Sequence, residues 1–259
     1  MQSVLFPLLA VVAGYLIGSL SFAVIVSRLM GLSDPRSYGS GNPGATNVLR
    51  SGNKAAAILT LAFDALKGYV PVLLVLKFGS PYGLEEGTAA LVGLAAFVGH
   101  LWPIFFKFIG GKGVATAAGV LLAINPWLGL AVLGVWIVMA VVFRYSSLAS
   151  LAAAVAAPLL QMLIWDVGPE LPAIALMSLL LIWRHAANIR KLMAGTESKL
   201  GQKSAPVAAA PAAKSHRHEQ SRAHRHDHKR DQKRDQKRDH NRDQKPDQKP
   251  SNKPNQHSK

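Results

Sequence analysis

Long apolar runs separated by short polar segments organise the first 200 residues of the chain. The runs cover residues 4–26, 55–76, 88–106, 114–124, 127–143, 148–164 and 171–183. A bilayer core of roughly 30 Å is crossed by about 20 apolar residues in a helix, and by fewer where neighbours shelter it. The pattern predicts an all-α integral membrane protein, a seven-transmembrane-helix bundle whose fourth helix is too short to span comfortably alone. Asn125-Pro126 parts the fourth run from the fifth, and proline there suits a tight turn rather than one long helix. Six spans is the alternative.

Charge decides between the two counts. Arg28 follows the first run instead of preceding it, so the run has no basic leader and is not a cleaved signal peptide. Positive charge after the first span places the N-terminus outside. Seven spans then put Arg36, Arg50, Lys54, Lys107, Lys112, Arg144, Arg184, Arg190 and Lys191 in cytoplasmic loops. The outer loops keep Lys77 alone, beside Glu85, Glu86, Asp166 and Glu170. The C-terminus is cytoplasmic on this reading, and six spans would spoil the asymmetry.

Composition changes sharply at Gly201. Residues 1–200 hold 13 Lys/Arg and 7 Asp/Glu, whereas residues 201–259 hold 16 and 7, with seven of the nine His. The mean hydropathy of +0.21 therefore describes neither part, and a soluble one-domain enzyme is excluded. The two domains expected are a membrane-embedded body, 1–200, and a disordered basic, His-rich, low-complexity tail, 201–259. From Asp227 to Asp247 an Asp recurs every four residues, in units such as DQKR and DQKP. Such a segment buries too little to offset chain entropy. Its His run (His216, His218, His224, His226, His228) reads as a solvated charge run before it reads as a metal site. Beside a cytoplasmic leaflet the basic excess attracts anionic lipid. No Cys is present, which removes disulfides, thiolate nucleophiles and Cys-ligated zinc.

Polar residues inside a membrane body mark function, and here they gather in four groups. The first, residues 33–50, contains GSGNPGATN. Its small residues let backbone amides approach a ligand, its Ser, Asn and Thr side chains add donors, and Arg50 adds a fixed cation. It reads either as a phosphate cradle or as a flexible glycine-rich loop. The P-loop spacing is absent, so nucleotide binding does not follow. The second, FDALKG, sets Asp64 and Lys67 three apart on one helix face. Asp64 reads as half of a structural ion pair, and Lys67 stays open between that role and an anionic substrate. The third, residues 99–116, joins glycine to Lys112 just before the short helix, whose first amides would face an anion. His100 there is either a proton acceptor or a hydrogen-bonded interior histidine. The fourth is split between RYSS at 144–147 and residues 184–197, which add Ser147, His185, Asn188 and further cations. Two glycine-rich loops with five cations, Arg50, Lys112, Arg144, Arg184 and Arg190, suit more than one anionic group on an amphiphilic substrate.

At GSGNPGATNVLR (39–50), DALKG (64–68), GHLWPIFFKFIGGKGVAT (99–116), RYSSLAS (144–150) and RHAANIRKLMAGTE (184–197) the chain resembles the bacterial membrane acyl-phosphate:glycerol-3-phosphate acyltransferases. The motifs run in the family's order over about residues 1–198. The resemblance implies a seven-helix bundle with its active site facing the cytoplasm, in the bacterial inner membrane. It implies transfer of an acyl group from acyl phosphate to the 1-hydroxyl of sn-glycerol 3-phosphate, giving lysophosphatidic acid and inorganic phosphate. It assigns the acyl phosphate head group to Gly39, Ser40, Gly41, Asn42, Gly44, Thr46 and Asn47, and phosphate charge to Arg50 and Lys112, with Lys112 leaning to glycerol phosphate. Gly111 and Gly113 flank that lysine. The serine after RY matches Ser146 or Ser147, and Ser147 aligns better. His185 and Asn188 match the motif that positions glycerol phosphate. Lys112, Ser147, His185 and Asn188 are thus the expected catalytic set, with Lys67, His100, Arg144 and Glu197 beside them at the substrate.

Soluble and CoA-linked acyltransferases pair His with an Asp five residues on, but here those positions hold Phe105 and Arg190. Acyl phosphate carries its own dianion beside the carbonyl, so substrate-assisted catalysis is the expected mechanism. Phosphate leaves readily once cations neutralise it, and no carboxylate cluster offers a Mg²⁺ site, so no cofactor or metal is expected. The partners are then acyl phosphate, glycerol 3-phosphate and membrane lipid, with no nucleic acid. A transporter of phosphorylated metabolites is the rival reading. Against it stand the lack of an inverted repeat and the gathering of polar residues at one face.

Overall fold

The computed structural model describes residues 2–201. The tail expected to be disordered lies outside the described residues, apart from Gly201. Ten α-helices follow in chain order among the described residues: α1 (Gln2–Gly18), α2 (Phe22–Leu29), α3 (Ala45–Val48), α4 (Lys54–Phe78), α5 (Glu86–Leu101), α6 (Val114–Ile124), α7 (Pro126–Phe143), α8 (Ser146–Ile164), α9 (Leu171–Arg184) and α10 (Ala186–Met193). Short 3-10 turns at Leu49–Ser51, Ser80–Tyr82 and Ile104–Phe106 complete the set.

Every predicted apolar run is helical, but not every run is one straight span. Lys54–Phe78, Glu86–Phe106, Pro126–Phe143 and Ser146–Ile164 are each long and apolar enough to cross a membrane. Two further candidates are broken: α1 turns by 43° into α2, and α9 by 56° into α10. Counting each bent pair as one span gives six among the described residues, with α6 a shorter apolar helix beside them.

The first break has a physical cause that the hydropathy pattern does not carry. The Ser19 hydroxyl donates to the Tyr15 carbonyl (2.8 Å) and competes with the helix ladder. The Leu20 carbonyl, in the break itself, accepts from the Lys67 ammonium (2.7 Å), 47 residues along the chain. At the other predicted boundary Asn125 caps α7, its side-chain oxygen accepting from the amides of Trp127 (3.0 Å) and Leu128 (3.2 Å). Pro126 occupies the first helical position, where its missing N–H leaves nothing unsatisfied.

Close helix approach holds the bundle together. A Cβ on Gly18 of α1 would strike the backbone of Ala96 in α5, and one on Gly119 of α6 would strike that of Ala65 in α4. Small residues at such contacts let backbones pack without the hydrophobic drive that water supplies. Val72, Phe97, Leu101, Val120, Leu128 and Ile174 fill the shared core. Large apolar residues such as Leu74, Val141 and Leu163 are exposed on the outside of the spans, as a lipid-facing surface requires.

Candidate active site

The second glycine-rich loop sits between α5 and α6 and is fixed from three sides. The Gly111 amide donates to the His100 carbonyl (3.1 Å). A Cβ on Gly111 would collide with His100 Nε2 and lie 2.9 Å from the Pro43 carbonyl, so the two glycine-rich loops touch. The Arg184 guanidinium, from the end of α9, donates to the carbonyls of Gly110 (3.0 Å) and Gly111 (3.0 and 3.2 Å). Gly113 then turns the chain with φ 81° into α6, whose first amides no side chain caps. That geometry leaves the start of α6 open to an anion, beside Lys112.

Lys112 begins a chain of hydrogen bonds that unites three motifs distant in sequence. Its ammonium donates to the side-chain oxygen of Asn188 on α10. The Asn188 amide nitrogen donates to Glu197 Oε1 (2.7 Å), and Ser147 Oγ, at the start of α8, donates to the same oxygen (2.7 Å). Glu197 thereby sets the orientation of both side chains, with the Asn188 oxygen turned to Lys112. Burial draws the Lys112 ammonium down to about 8. The Glu197 carboxylate opposes that shift, while Arg184, Lys191 and Arg50 reinforce it. Several cations around one half-buried ammonium make a positive potential that favours an anionic ligand.

The first glycine-rich loop is shaped from within. Asn47 is almost fully buried, and its oxygen accepts from the Ser40 amide (2.9 Å). Its nitrogen donates to the carbonyls of Pro35 (2.6 Å) and Tyr38 (3.2 Å). The Asn47 side chain, expected at the acyl phosphate head group, is thus engaged with the loop's own backbone as a clamp. Gly39 and Gly41 take positive φ (59° and 68°), and the side chains of Ser40 and Thr46 stand exposed. Asn42 is half-buried, its amide donating weakly to Ser40 Oγ (3.4 Å), and it lies against Gly44. Arg50 packs on Gly39 and donates to Ser198 Oγ (2.9 Å), one residue past Glu197. Upstream, Asp34 binds Arg36 (2.7 Å), which holds its carboxyl below the usual carboxylate range.

Four expected site residues stand outside both glycine-rich loops and the Lys112–Glu197 chain of bonds. Lys67 is buried in α4, bound to Asp64 (2.8 Å) and to the Leu20 carbonyl, the ion pair that was one of its two readings. His100 is buried behind Gly111, with Nδ1 3.6 Å from Asp64 Oδ1. Arg144, at φ 63° after α7, is exposed and donates to the Leu200 carbonyl (3.4 Å). His185, at the α9–α10 elbow, is 2% exposed, and its Nδ1 donates to the Leu181 carbonyl (2.8 Å). An imidazole so enclosed is suited to hold the elbow under Asn188 rather than to take a proton from a diffusing substrate. Arg184 is the residue that motif reading undervalued. The sequence marked it as one of five cations for an anionic group, whereas its guanidinium reaches back 73 residues to the Gly111 carbonyl.

Residues 8–195 match the glycerol-3-phosphate acyltransferase family. The chain is 63% identical over 208 residues to the glycerol-3-phosphate acyltransferase of Albidiferax ferrireducens, covering 78% of this chain and 92% of that one. The protein of the same name from Ralstonia nicotianae is 60% identical over 207 residues, covering 80% and 100%. The crystal structure of PlsY (YgiH), an integral membrane glycerol 3-phosphate acyltransferase, in its glycerol 3-phosphate form has a TM-score of 0.70 at 38% identity, covering 75% of this chain and 96% of that one. Its lysophosphatidic acid form gives 0.69 at 37%. In sequence over most of its length and in the path of its helices, the chain belongs to the glycerol-3-phosphate acyltransferase family.

Proposed function

We propose that this membrane enzyme acylates the 1-hydroxyl of sn-glycerol 3-phosphate with acyl phosphate as donor, releasing lysophosphatidic acid and inorganic phosphate. This is the first acylation of phospholipid synthesis. The observation that carries the reading is the contact of the two glycine-rich loops at Gly111 and Pro43, with Lys112, Asn188, Glu197 and Ser147 joined on one side. Two phosphates need two adjacent cradles, and an acyl donor needs apolar helices beside them.

In this account the first loop, through Ser40, Asn42 and Thr46, holds the acyl phosphate head group, with Arg50 at its edge. Lys112 and Asn188 hold glycerol 3-phosphate, and Ser147 and His185 keep that pair in place. The acceptor hydroxyl attacks the acyl carbonyl carbon, the bond from that carbon to the phosphate oxygen breaks, and the hydroxyl proton passes to the departing phosphate. Orientation and charge stabilisation supply the acceleration, as in other sites where the reacting groups are brought preorganised.

The arrangement in the membrane follows the charge asymmetry. Seven crossings, with α6 as the short fourth, put the N-terminus outside and both glycine-rich loops at the cytoplasmic face of the inner membrane. Residues 1–200 form the catalytic body on this reading, and the basic tail carries no chemistry.

The test is turnover by the detergent-purified chain of labelled glycerol 3-phosphate, with palmitoyl phosphate in one reaction and palmitoyl-CoA in another. Labelled lysophosphatidic acid from palmitoyl phosphate alone is the expected result. Product from the CoA ester alone would keep the acceptor and overturn the donor, and with it the role given to the first loop.

A further inference from the structure

Beneath the Lys112 loop lies a buried polar unit that the reaction as described does not use. Asp64 and Lys67 project from α4 and His100 from the last turn of α5, exposed by only 2%, 4% and 7%. Lys67 binds Asp64 Oδ1 (2.8 Å) and the Leu20 carbonyl in the α1–α2 break (2.7 Å). The His100 ring has Nδ1 3.6 Å from Asp64 Oδ1 on one edge, and on the other its Nε2 stands where a Cβ on Gly111 would go. Its backbone carbonyl accepts the Gly111 amide, and that same carbonyl leaves no room for a Cβ on Gly110. The residue after Lys67 completes the contact: a Cβ on Gly68 would strike the Thr116 carbonyl in the first turn of α6.

A buried ion pair is weak evidence of stability, because desolvation cancels much of its attraction and apolar replacements are often neutral or better. What such a pair provides is fixed geometry. Here the members tie together the α1–α2 break, α4 and α5, and His100 carries that tie to Gly110 and Gly111, the residues just before Lys112. We infer that Asp64, Lys67 and His100 are a positioning unit for the acceptor's phosphate, acting through the His100 ring to set the turn Gly110–Lys112 without touching substrate. The inference rests on the acyltransferase reading and extends it to residues one layer behind the site. Displacing a binding group by about 1 Å costs up to about a hundredfold in turnover, so loss of the unit shows first in how the enzyme handles glycerol 3-phosphate.

The experiment compares three variants of the full chain in detergent: Asp64→Asn, His100→Gln and Val72→Ala. The last opens a cavity in α4 at a fully buried site that lies against Gly93 of α5. Melting temperature, and KM and kcat for glycerol 3-phosphate, are measured for each. Asp64→Asn leaves the Lys67 charge buried without its partner and can fail to fold. His100→Gln keeps the ion pair and decides the matter alone. The expected result is a KM for glycerol 3-phosphate raised about tenfold or more in His100→Gln, with Val72→Ala lowering the melting temperature and leaving KM near wild type. An unchanged KM in His100→Gln overturns the unit's role even if the melting temperature falls. A wild-type chain that makes no lysophosphatidic acid from either donor overturns the acyltransferase reading, and this role with it.

Discussion

Gly41 and Gly111, one in each glycine-rich loop, are glycine for opposite reasons. In the first loop, Gly39 and Gly41 adopt left-handed backbone; a Cβ on Gly39 would strike the Asn47 side chain, but one on Gly41 would meet nothing closer than the Arg36 carbonyl at 3.6 Å. In the second, Gly111 has ordinary backbone, but His100 and the Pro43 carbonyl stand where a Cβ would go. One loop is open and shaped by its own Asn47 clamp, while the other is enclosed and shaped by what surrounds it. An open cradle suits a donor head group arriving from the membrane. An enclosed one suits a small acceptor that must be held rigidly while its hydroxyl attacks.

The comparison predicts unequal responses to the same substitution. Gly111→Ala forces the loop off His100 or away from Pro43, and kcat/KM should fall by about a hundredfold or more. Gly41→Ala meets backbone strain of about 1–2 kcal/mol and no collision, so activity should stay within about tenfold of wild type. Equal losses in the two variants would remove the distinction between the loops.

Lys112→Ala should lower kcat/KM by about 10²–10³-fold, the loss typical of removing one preorganised charge-stabilising group. The same residue gives a pH test. With its pKa drawn down to about 8, the free enzyme loses this ammonium as pH rises through that value. The profile of kcat/KM, which reports the free enzyme, should therefore fall on its alkaline side near pH 8. Bound phosphate favours the charged form, so the limb in kcat should lie higher. Lys112→Arg, which stays charged, should remove the limb even where turnover is reduced.

Asn47→Ala should act on the first loop through stability. The variant loses three hydrogen bonds at a buried position and leaves the Ser40 amide without its partner, at a cost of about 2–3 kcal/mol. A lowered melting temperature, with a modest rise in KM for acyl phosphate and an unchanged KM for glycerol 3-phosphate, is the expected pattern.

Hydropathy is a local property, and so each of the seven apolar runs could be read from its own residues, as could the Asn125-Pro126 turn. The breaks could not. The carbonyl freed between α1 and α2 is bound by Lys67, far along the chain, and within the run itself only Gly18, Ser19 and Ser21 mark the bend. The site was legible as motifs, because Lys112, Ser147, Asn188 and Glu197 sit beside glycine, serine and arginine in unusual local company. Their joining through a single Glu197 oxygen was not legible, since it depends on where α8 and α10 lie. Asn47 and Arg184 show the same limit. Polar type marks a residue as important, but only packing tells a ligand contact from a clamp on the backbone that makes the contact.

On the proposed function, two cradles in contact bind donor and acceptor together, and the acyl group moves between them directly. Initial rates measured over a grid of acyl phosphate and glycerol 3-phosphate concentrations test this most directly. Intersecting lines in double-reciprocal form, with no phosphate released before glycerol 3-phosphate is added, are the predicted result. Parallel lines with a burst of phosphate in the absence of acceptor would instead mean an acylated side chain, with Ser147 the first to examine, and would contradict direct transfer.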